Sequence, residues 1–427
     1  MSLRKTAVAN YVAAAIAAGA PLLALPFYVN GLGPEGWGLV SFAMTLAVTV
    51  GMLEVGISQR LVRDLSLLAH RQQSEFSRVT RAVEVYYWAA AIVLSLAVAA
   101  LAPLVVGRWL NLPASHQQEG HHTIYFCAVL LLTQIPNAAY RSFLVATDRQ
   151  VPLCAHTALV NLAKHGGGVW VVTRGGGLGS LYLYLSAIAL LDVATRKLIT
   201  SSTGPAPAGN RGIDWSHARV LLMSGMRVSF AVVTGILALQ LDRLYLSRIG
   251  SLTDLGIYSI GASLAYGALQ LSAPIISAVA PRLAISSTSQ HGLDQMCKKL
   301  IVGMLLAILV AGFAYILFGE HLVAHWLNDS ATFERLKWTL RLLLIGTALN
   351  ALYQVGYQRW IAQGETRLIL RVNLVALMTA AVLTPMTISA FGIIGASAAW
   401  LSFNVVGLSF QARWLFSLAL RQPSSQQ

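Results

Sequence analysis

Charged side chains are scarce in this sequence. Asp, Glu, Lys and Arg together make up 11% of its 427 residues, and 56% are apolar. Soluble domains carry roughly 25% charged residues, so a chain this poor in charge could not cover a surface that faces water. The composition therefore excludes a soluble protein of two or three domains, which the length alone would allow.

Cysteine is also rare, with three residues whose spacing fits neither a disulfide framework nor a structural metal site. The histidines His116, His121 and His122 lie close together but without cysteine or a clear set of acids nearby. We therefore expect no metal centre and no cofactor in this protein.

What the chain does have is long apolar blocks. Residues 220–241 and 300–318, for example, are nearly free of charge. About 20 apolar residues in a helix cross a hydrocarbon core of roughly 30 Å, and the blocks lack the two-residue alternation of barrel strands. The sequence predicts an all-α polytopic membrane protein of about 12 transmembrane helices. The predicted spans are 7–29, 38–58, 83–105, 122–145, 151–173, 178–195, 219–241, 255–281, 299–318, 340–361, 368–389 and 392–416.

The positive charges predict how these spans are oriented. If the N-terminus lies inside, 21 of the 30 Lys and Arg residues fall in inner segments, 7 in outer segments, and 2 (Lys164 and Arg227) within spans. Positive charge accumulates on the cytoplasmic side, so both termini are predicted to be cytoplasmic in a multi-pass protein of the bacterial inner membrane. The net charge of +14 largely follows from this bias and gives no reason to expect nucleic-acid binding.

The chain is predicted to consist of two similar halves. A segment rich in Ser, Gly, Pro and Ala at 201–215 is the predicted cytoplasmic linker between an N-terminal lobe (1–200) and a C-terminal lobe (216–427). Residues that repeat at a separation of 217 or 218 are Tyr28, Gly33, Gly38 and Ser41, matched by Tyr245, Gly250, Gly256 and Ser259. Transporters built this way bind substrate between the halves, near the membrane midplane.

The first hairpin carries a family resemblance. Residues 25–42 read LPFYVNGLGPEGWGLVSF, and LEVGI follows at 53–57. Together with Asn10 in the first helix, this pattern resembles the Wzx-type O-antigen and polysaccharide flippases of the MOP (multidrug/oligosaccharidyl-lipid/polysaccharide) superfamily. The sequence departs from the pattern at Glu54, where Asp is expected, and at Ile57, where Leu is expected.

The resemblance implies a fold of the MATE and MurJ type, with two six-helix lobes. It also implies a transporter that moves an undecaprenyl-pyrophosphate-linked oligosaccharide from the cytoplasmic to the periplasmic leaflet. The implied mechanism is a rocker-switch coupled to a proton or sodium gradient. The implied partners are membrane lipids, a polysaccharide polymerase and a chain-length regulator.

Charges inside membrane spans are costly unless they serve a function, and Lys164 is the deepest of them. It lies 12 residues past Pro152, or about 18 Å along a helix at a rise of about 1.5 Å per residue. Asn161 and His165 share its helix face. This face is predicted to line a cationic cavity, and the alternative is a structural lysine paired with a buried acid.

Arg227 is the second cation inside a span, eight residues after Arg219. We expect it to contact phosphate, because a guanidinium group can form paired hydrogen bonds with phosphate oxygens. The alternative is that its side chain reaches back to the cytoplasmic interface.

The remaining candidates fall into two groups. The predicted substrate contacts also include Asn10, Asn137, Arg141, Tyr353, Tyr357 and Arg371. The predicted gate or ion-coupling residues are Glu54, Arg60, Asp242 and Arg282. Glu54 is predicted to form a gate pair with Arg282 of the other lobe, and the alternative is an interfacial acid within reach of Arg60. Structural roles stay open for each of them, because amides hold membrane helices together and the acids have basic neighbours in the sequence.

Three other functions compete with the flippase. An exporter of small molecules from the same superfamily would keep the fold, but the basic residues inside the spans favour an anionic substrate. A membrane glycosyltransferase or polymerase needs catalytic groups in sizeable outer loops, which this chain is predicted to lack. A scaffold protein would require neither a buried lysine nor a repeated half.

Overall fold

The computed structural model describes residues 3–71, 73–203, 213–270, 283 and 290–420. Within these residues all regular structure is helical, and no strand is present. This agrees with the apolar composition, because inside a bilayer a helix satisfies all of its backbone hydrogen bonds within one segment.

Fourteen α-helices can be named in the described part of the chain. They are α1 (Leu3–Arg71), α2 (Gln73–Ala100), α3 (Ala102–Leu104), α4 (Gln117–Ala146), α5 (Gln150–Thr173), α6 (Leu178–Thr203), α7 (Trp215–Ala238), α8 (Leu241–Ile249), α9 (Leu252–Gln270), α10 (Gln290–Ala314), α11 (Glu320–Leu327), α12 (Ser330–Ala362), α13 (Thr366–Ser409) and α14 (Ala412–Leu420). Short π-helical turns at Val105–Trp109 and Tyr315–Gly319 and a 3₁₀ turn at Ala114–His116 complete the set.

Six segments of the described chain are long and apolar enough to cross a membrane. They are Val8–Met52, Glu75–Ala100, Ala114–Ala146, Leu178–Ser202, His291–Leu327 and Arg367–Ser409. The protein is therefore a multi-pass membrane protein. Helices α5 and α12, with 24 and 33 residues, are also long enough to cross a membrane.

The helices differ from the predicted spans at several joints. Residues 59–71 and 73–82, predicted as a connection, are helical in α1 and α2. Asp242, which directly follows the predicted seventh span, lies in the first turn of the separate helix α8. The three cysteines are free and buried, and Cys297, predicted in a loop, lies in α10.

Helix α1 is two helical arms joined at Gly33. The backbone there has φ 71° and ψ 168°, a conformation that glycine adopts without a Cβ penalty. Pro34 follows and has no backbone N–H to donate. The 69 residues of α1 are therefore divided into an arm before Gly33 and an arm after it.

The first arm of α1 runs in the same direction as α5. Asn10 Nδ2 donates a hydrogen bond to Gln150 Oε1 over 3.1 Å, near the start of both segments. The hydroxyl of Tyr28 donates to the carbonyl oxygen of His165 over 3.4 Å, further along both. The residues in contact therefore follow the same order along both segments, which shows that the two segments are parallel.

The second arm runs in the same direction as α4. Gly51 lies beside Gln134, and the Ser142 hydroxyl donates to Ser58 over 3.3 Å. Helix α6 is parallel to α4 and antiparallel to α5. The pairs that show this are Thr123–Tyr182 and Asn137–Asp192 for α4, and His156–Thr195 and Ala163–Tyr184 for α5. Since α4 and α5 thus run in opposite directions, the two arms of α1 also do, and the chain reverses at Gly33.

Helix α13 contains a second reversal at Gly392, where φ is 58°. Three residues separate α12 from α13, so the arm before Gly392 must run back along α12. The arm after it runs with α12, because Asn350 pairs with Asn404 and the carbonyl of Tyr353 accepts from Gln411. The predicted spans 368–389 and 392–416 are these two arms.

The chain forms two compact units. The first comprises Met1–Ile236 and Ser251–Gly256, and the second Leu237–Gly250 and Ile257–Gln427. Helix α7 up to Ile236 thus belongs to the first unit. Residues 204–212 of the predicted linker lie outside the described residues, so the predicted lobe boundary stays a prediction.

Two glycines of the predicted repeat touch each other within the first unit. A Cβ atom on Gly38 would collide with the backbone of Leu252 and Gly256. A Cβ atom on Gly256 would collide with the backbone carbonyl of Pro34. Only glycine lets these two backbones approach so closely.

We predict that Gly256→Ala lowers the free energy of unfolding by about 3 kcal/mol, at the upper end of overpacking costs, because backbone atoms cannot move aside as a side chain could. Thermal unfolding in detergent micelles measures this. The matched control is Gly166→Ala in α5, where a Cβ meets nothing within 4 Å. Equal melting temperatures for the two variants would contradict the close approach.

Asp329 caps the N-terminus of α12. Its side chain accepts hydrogen bonds from the backbone N–H groups of Ala331 and Thr332 and from the Thr332 hydroxyl, over 3.0, 3.1 and 2.6 Å. The Thr332 hydroxyl, followed by these backbone donors, lowers the pKa of Asp329 below its ordinary value of 3.8.

We predict that Asp329→Ala costs about 1 kcal/mol of stability at neutral pH. Because the folded-state pKa is depressed, the stabilisation is complete above pH 3.8 and is lost as the pH falls through the lower folded value. Melting curves across acidic pH test this. Asp329→Asn keeps the cap without the titration, and a pH dependence equal to that of wild type in this variant would refute the assignment.

Candidate functional site

Lys164 lies on α5, where α5 packs against α1 and α6. It is half-buried, as are Asn161 and His165 beside it. The Tyr28 ring lies 6.4 Å from the His165 ring. Asn161 donates to the carbonyl of Thr157 over 2.8 Å and so uses its amide within its own helix.

An acid that the sequence analysis did not weigh organises this region. Asp192 of α6 accepts hydrogen bonds from Asn137 Nδ2 over 2.8 Å and from Arg196 Nη2 over 3.0 Å. His156 Nδ1 lies 3.6 Å from the same carboxylate. One carboxylate thereby joins α4, α5 and α6. Asp192 could have been selected from the sequence, because it is a charged residue inside a predicted span, which is the criterion that selected Lys164.

Asp192 bears directly on the two interpretations of Lys164. Its charge attracts the Lys164 ammonium group, yet Asn137, Arg196 and His156 already surround its oxygens. Among the described residues Lys164 forms no ion pair within 4.0 Å. Three N–H donors of its ammonium group are thus available to a ligand.

A second acid, Glu54, is surrounded by hydroxyl groups. Ser58 and Tyr87 both donate to Glu54 Oε1, the latter over 3.3 Å, and the positive charge of Arg141 acts on the carboxylate. Arg60, a predicted partner, instead pairs with Asp64 over 2.7 Å. The predicted gate partner Arg282 lies outside the described residues.

Arg141 is exposed on α4 and makes no ion pair with any residue that the structure describes. Its charge also acts on Cys154 of α5. The Cys154 thiol donates to Asn10 Oδ1 over 3.1 Å. The predicted contacts Asn10, Asn137, Arg141 and Lys164 therefore all belong to the first unit, spread over α1, α4 and α5.

The second unit holds the other predicted side chains. Tyr353 is buried, and its ring lies 5.8 Å from that of Tyr357. Arg371 is exposed on α13. Asp242 is buried and accepts hydrogen bonds from the Tyr258 hydroxyl and, over 2.7 Å, from the backbone N–H of Arg243. The side chain of Arg227, in α7 of the first unit, lies outside the described residues.

Each unit also contains an acid held by a cation and an aromatic side chain. In the first unit Glu84 accepts from Tyr140 over 2.7 Å and pairs with Lys197 over 2.9 Å. In the second unit Asp294 accepts from Trp414 over 3.0 Å and lies 3.5 Å from Arg359. The acids are 210 positions apart, whereas the predicted repeat has separations of 217 or 218, and the cation and the aromatic residue occur in opposite order along the chain. Both clusters were missed by sequence analysis.

The sequence of the chain matches the family described as polysaccharide biosynthesis protein over residues 3–287, about two thirds of its length. The chain belongs to this family. The predicted resemblance is thereby confirmed.

Similar proteins agree with this assignment. A Shigella flexneri protein named as an O-antigen transporter is 20% identical, with 98% of each chain covered. The lipid II flippase MurJ in an inward closed conformation has a TM-score of 0.76 at 12% identity, covering 97% of this chain and 87% of that one. A Vibrio cholerae MATE transporter has a TM-score of 0.62 at 14% identity, covering 98% and 99%. At these identities the structural likenesses establish the MATE and MurJ type of fold.

We predict that Asp192→Ala destabilises the first unit by about 3 kcal/mol, the lower end of the cost of breaking a buried ion pair. Arg196, 8% exposed, would keep its charge without its partner. Thermal unfolding in micelles measures the loss. Asp64→Ala serves as the control, since its partner Arg60 is 37% exposed and such a pair contributes about 0–1 kcal/mol. A loss at Asp192 no larger than at Asp64 would disprove the organising role.

Proposed function

We propose that the protein moves an undecaprenyl-pyrophosphate-linked oligosaccharide from the cytoplasmic to the periplasmic leaflet of the bacterial inner membrane. The observation that carries the proposal is Lys164, a lysine inside a membrane helix with no ion pair among the described residues. It occurs in a chain of the polysaccharide biosynthesis family.

The substrate class follows from solvation. Sugar hydroxyls and a pyrophosphate are strongly hydrated, so hydrocarbon excludes them unless the protein replaces the lost water with polar contacts. Lys164 and Arg141 provide donors without an ion-pair partner in the described part of the first unit. An ammonium and a guanidinium group both bind phosphate oxygens. The prenyl chain itself needs no such help, because it is soluble in the bilayer.

The proposed topology has twelve spans and both termini in the cytoplasm. The opposite directions of the two arms of α1, and of the two arms of α13, support it, because each of these helices then supplies two spans. In the first unit these arms, α2, α4, α5 and α6 make six crossings that alternate in direction. Cytoplasmic termini are supported by the distribution of Lys and Arg.

The proposed mechanism is alternating access by a rocker-switch movement of the two lobes, coupled to a proton or sodium gradient. Glu54 is the proposed coupling residue, because Ser58 and Tyr87 hydroxyls surround it in place of a paired cation. A polysaccharide polymerase and a chain-length regulator are the proposed partners downstream.

The second candidate is an ion-coupled exporter of small molecules, which the likeness to MATE transporters favours. Cationic drugs require an acidic binding site. Lys164 and Arg141 instead leave unpaired positive charge in the first unit, which disfavours cationic substrates.

We predict that Lys164→Ala reduces surface polysaccharide at least tenfold in a host that lacks the chromosomal gene, because the anionic headgroup loses its deepest cation. The lipid-linked precursor should accumulate in the inner leaflet, and Lys164→Arg should restore part of the activity. Gel analysis of surface polysaccharide and leaflet-selective labelling of the precursor report both.

The control is Lys197→Ala, which removes a lysine that is 57% exposed and paired with Glu84. It should leave polysaccharide levels near those of wild type, with equal amounts of protein in the membrane. Normal polysaccharide in a Lys164→Ala/Arg141→Ala double variant would refute transport through this site. Drug resistance on overexpression, with polysaccharide unaffected by deletion, would establish the exporter instead.

A further inference from the structure

We propose that Glu75, Asp214 and His217 form a binding site for a divalent transition-metal ion such as Zn²⁺ or Mn²⁺. The site would join the first turn of α7 to the first turn of α2 within the first unit. None of its residues belongs to the proposed transport site, so the proposal stands independently of the transported substrate.

The three side chains already converge. The Nδ1 atom of His217 lies 2.8 Å from Oε1 of Glu75. One ligand atom from each of the three residues lies within 4.8 Å of the other two, and all three side chains are half-buried. Two ligand atoms bound to one metal ion at about 2.1 Å and at right angles are about 3 Å apart. The Glu75–His217 spacing matches this value, and an Asp214 oxygen lies within 4.8 Å of both atoms.

The local sequence places these ligands. Oδ1 of Asp214 accepts hydrogen bonds from the Ser216 hydroxyl over 2.8 Å and from the His217 backbone N–H over 3.0 Å. This cap orders the first turn of α7 and turns His217, three residues on, toward Glu75. The second carboxylate oxygen of Asp214 remains available to the ion. Glu75 stands in the first turn of α2, so both helix starts hold the ligands on regular backbone.

The donor set selects the class of ion. An imidazole nitrogen with two carboxylates suits Zn²⁺, Mn²⁺ and similar metals, whereas Mg²⁺ and Ca²⁺ prefer oxygen ligands throughout. Arg78 is the opposing charge, since its guanidinium group acts on Asp214. It offsets one of the two carboxylates and leaves one negative charge, which attracts a divalent cation.

A second histidine near acids provides the comparison. His116 lies 3.5 Å from Glu35 and 3.9 Å from Glu119, with acid side chains that are 50% and 46% exposed. This more open set is the alternative place where added metal could bind, and variants of His116 separate the two sites.

Isothermal titration of the purified full-length protein in detergent with Zn²⁺, Mn²⁺ and Mg²⁺ tests the proposal. We expect one equivalent of Zn²⁺ or Mn²⁺ to bind, with a rise in melting temperature, and Mg²⁺ to bind at least tenfold more weakly. His217→Ala and Glu75→Gln should each weaken binding at least tenfold and abolish the thermal shift. His116→Ala and His121→Ala should retain both.

Glu75→Gln keeps a hydrogen-bonding partner for His217, so its melting temperature without metal should match that of wild type. A loss of binding in this variant therefore reports a lost ligand and not a misfolded protein. The proposal is overturned if the wild type shows no saturable binding, if both site variants bind like wild type, or if binding disappears with His116→Ala instead.

Discussion

Polar groups inside a bilayer have to find partners within the protein, because hydrocarbon offers none. The α-helix satisfies the backbone N–H and C=O groups, and a few side-chain networks satisfy the polar side chains. In the first unit Asp192 contacts polar groups from three helices, and Glu54 accepts hydrogen bonds from hydroxyl groups of two helices. In the second unit Asn350 and Asn404 satisfy each other. Lys164 differs from these residues, because its ammonium group forms no ion pair within 4.0 Å among the described residues.

The same constraint shapes the turns. A chain that leaves the hydrocarbon and returns at once must reverse within very few residues, and two of the described helices do so at a single glycine with positive φ, Gly33 and Gly392. Close helix contact in the first unit likewise depends on Gly38 and Gly256, where a Cβ atom would meet backbone. Small residues have this role in membrane proteins, where packing rather than water exclusion holds helices together.

Each of the two units holds an acid in contact with a cation and an aromatic side chain. In the first unit Glu84 contacts Lys197 and Tyr140, and in the second unit Asp294 contacts Arg359 and Trp414. Each cluster places an acid of one helix against a cation and an aromatic ring from two other helices. The sequence pattern alone did not single out either cluster.

The sequence by itself determined that the protein is solvated by lipid, that its fold is helical, and to which family it belongs. Scarce charge and long apolar blocks are sufficient to predict lipid solvation and helices, because only helices or closed barrels satisfy backbone groups in lipid. The motif of residues 25–42 is sufficient to predict the family. It also selected Lys164, because a charge inside an apolar block is visible without coordinates. Only the tertiary structure decided which partners such residues meet. Asp192 meets His156, which is 36 positions away along the chain, and Asn137, which is 55 positions away. Those choices depend on how helices pack side by side, and a one-dimensional pattern does not encode which faces meet.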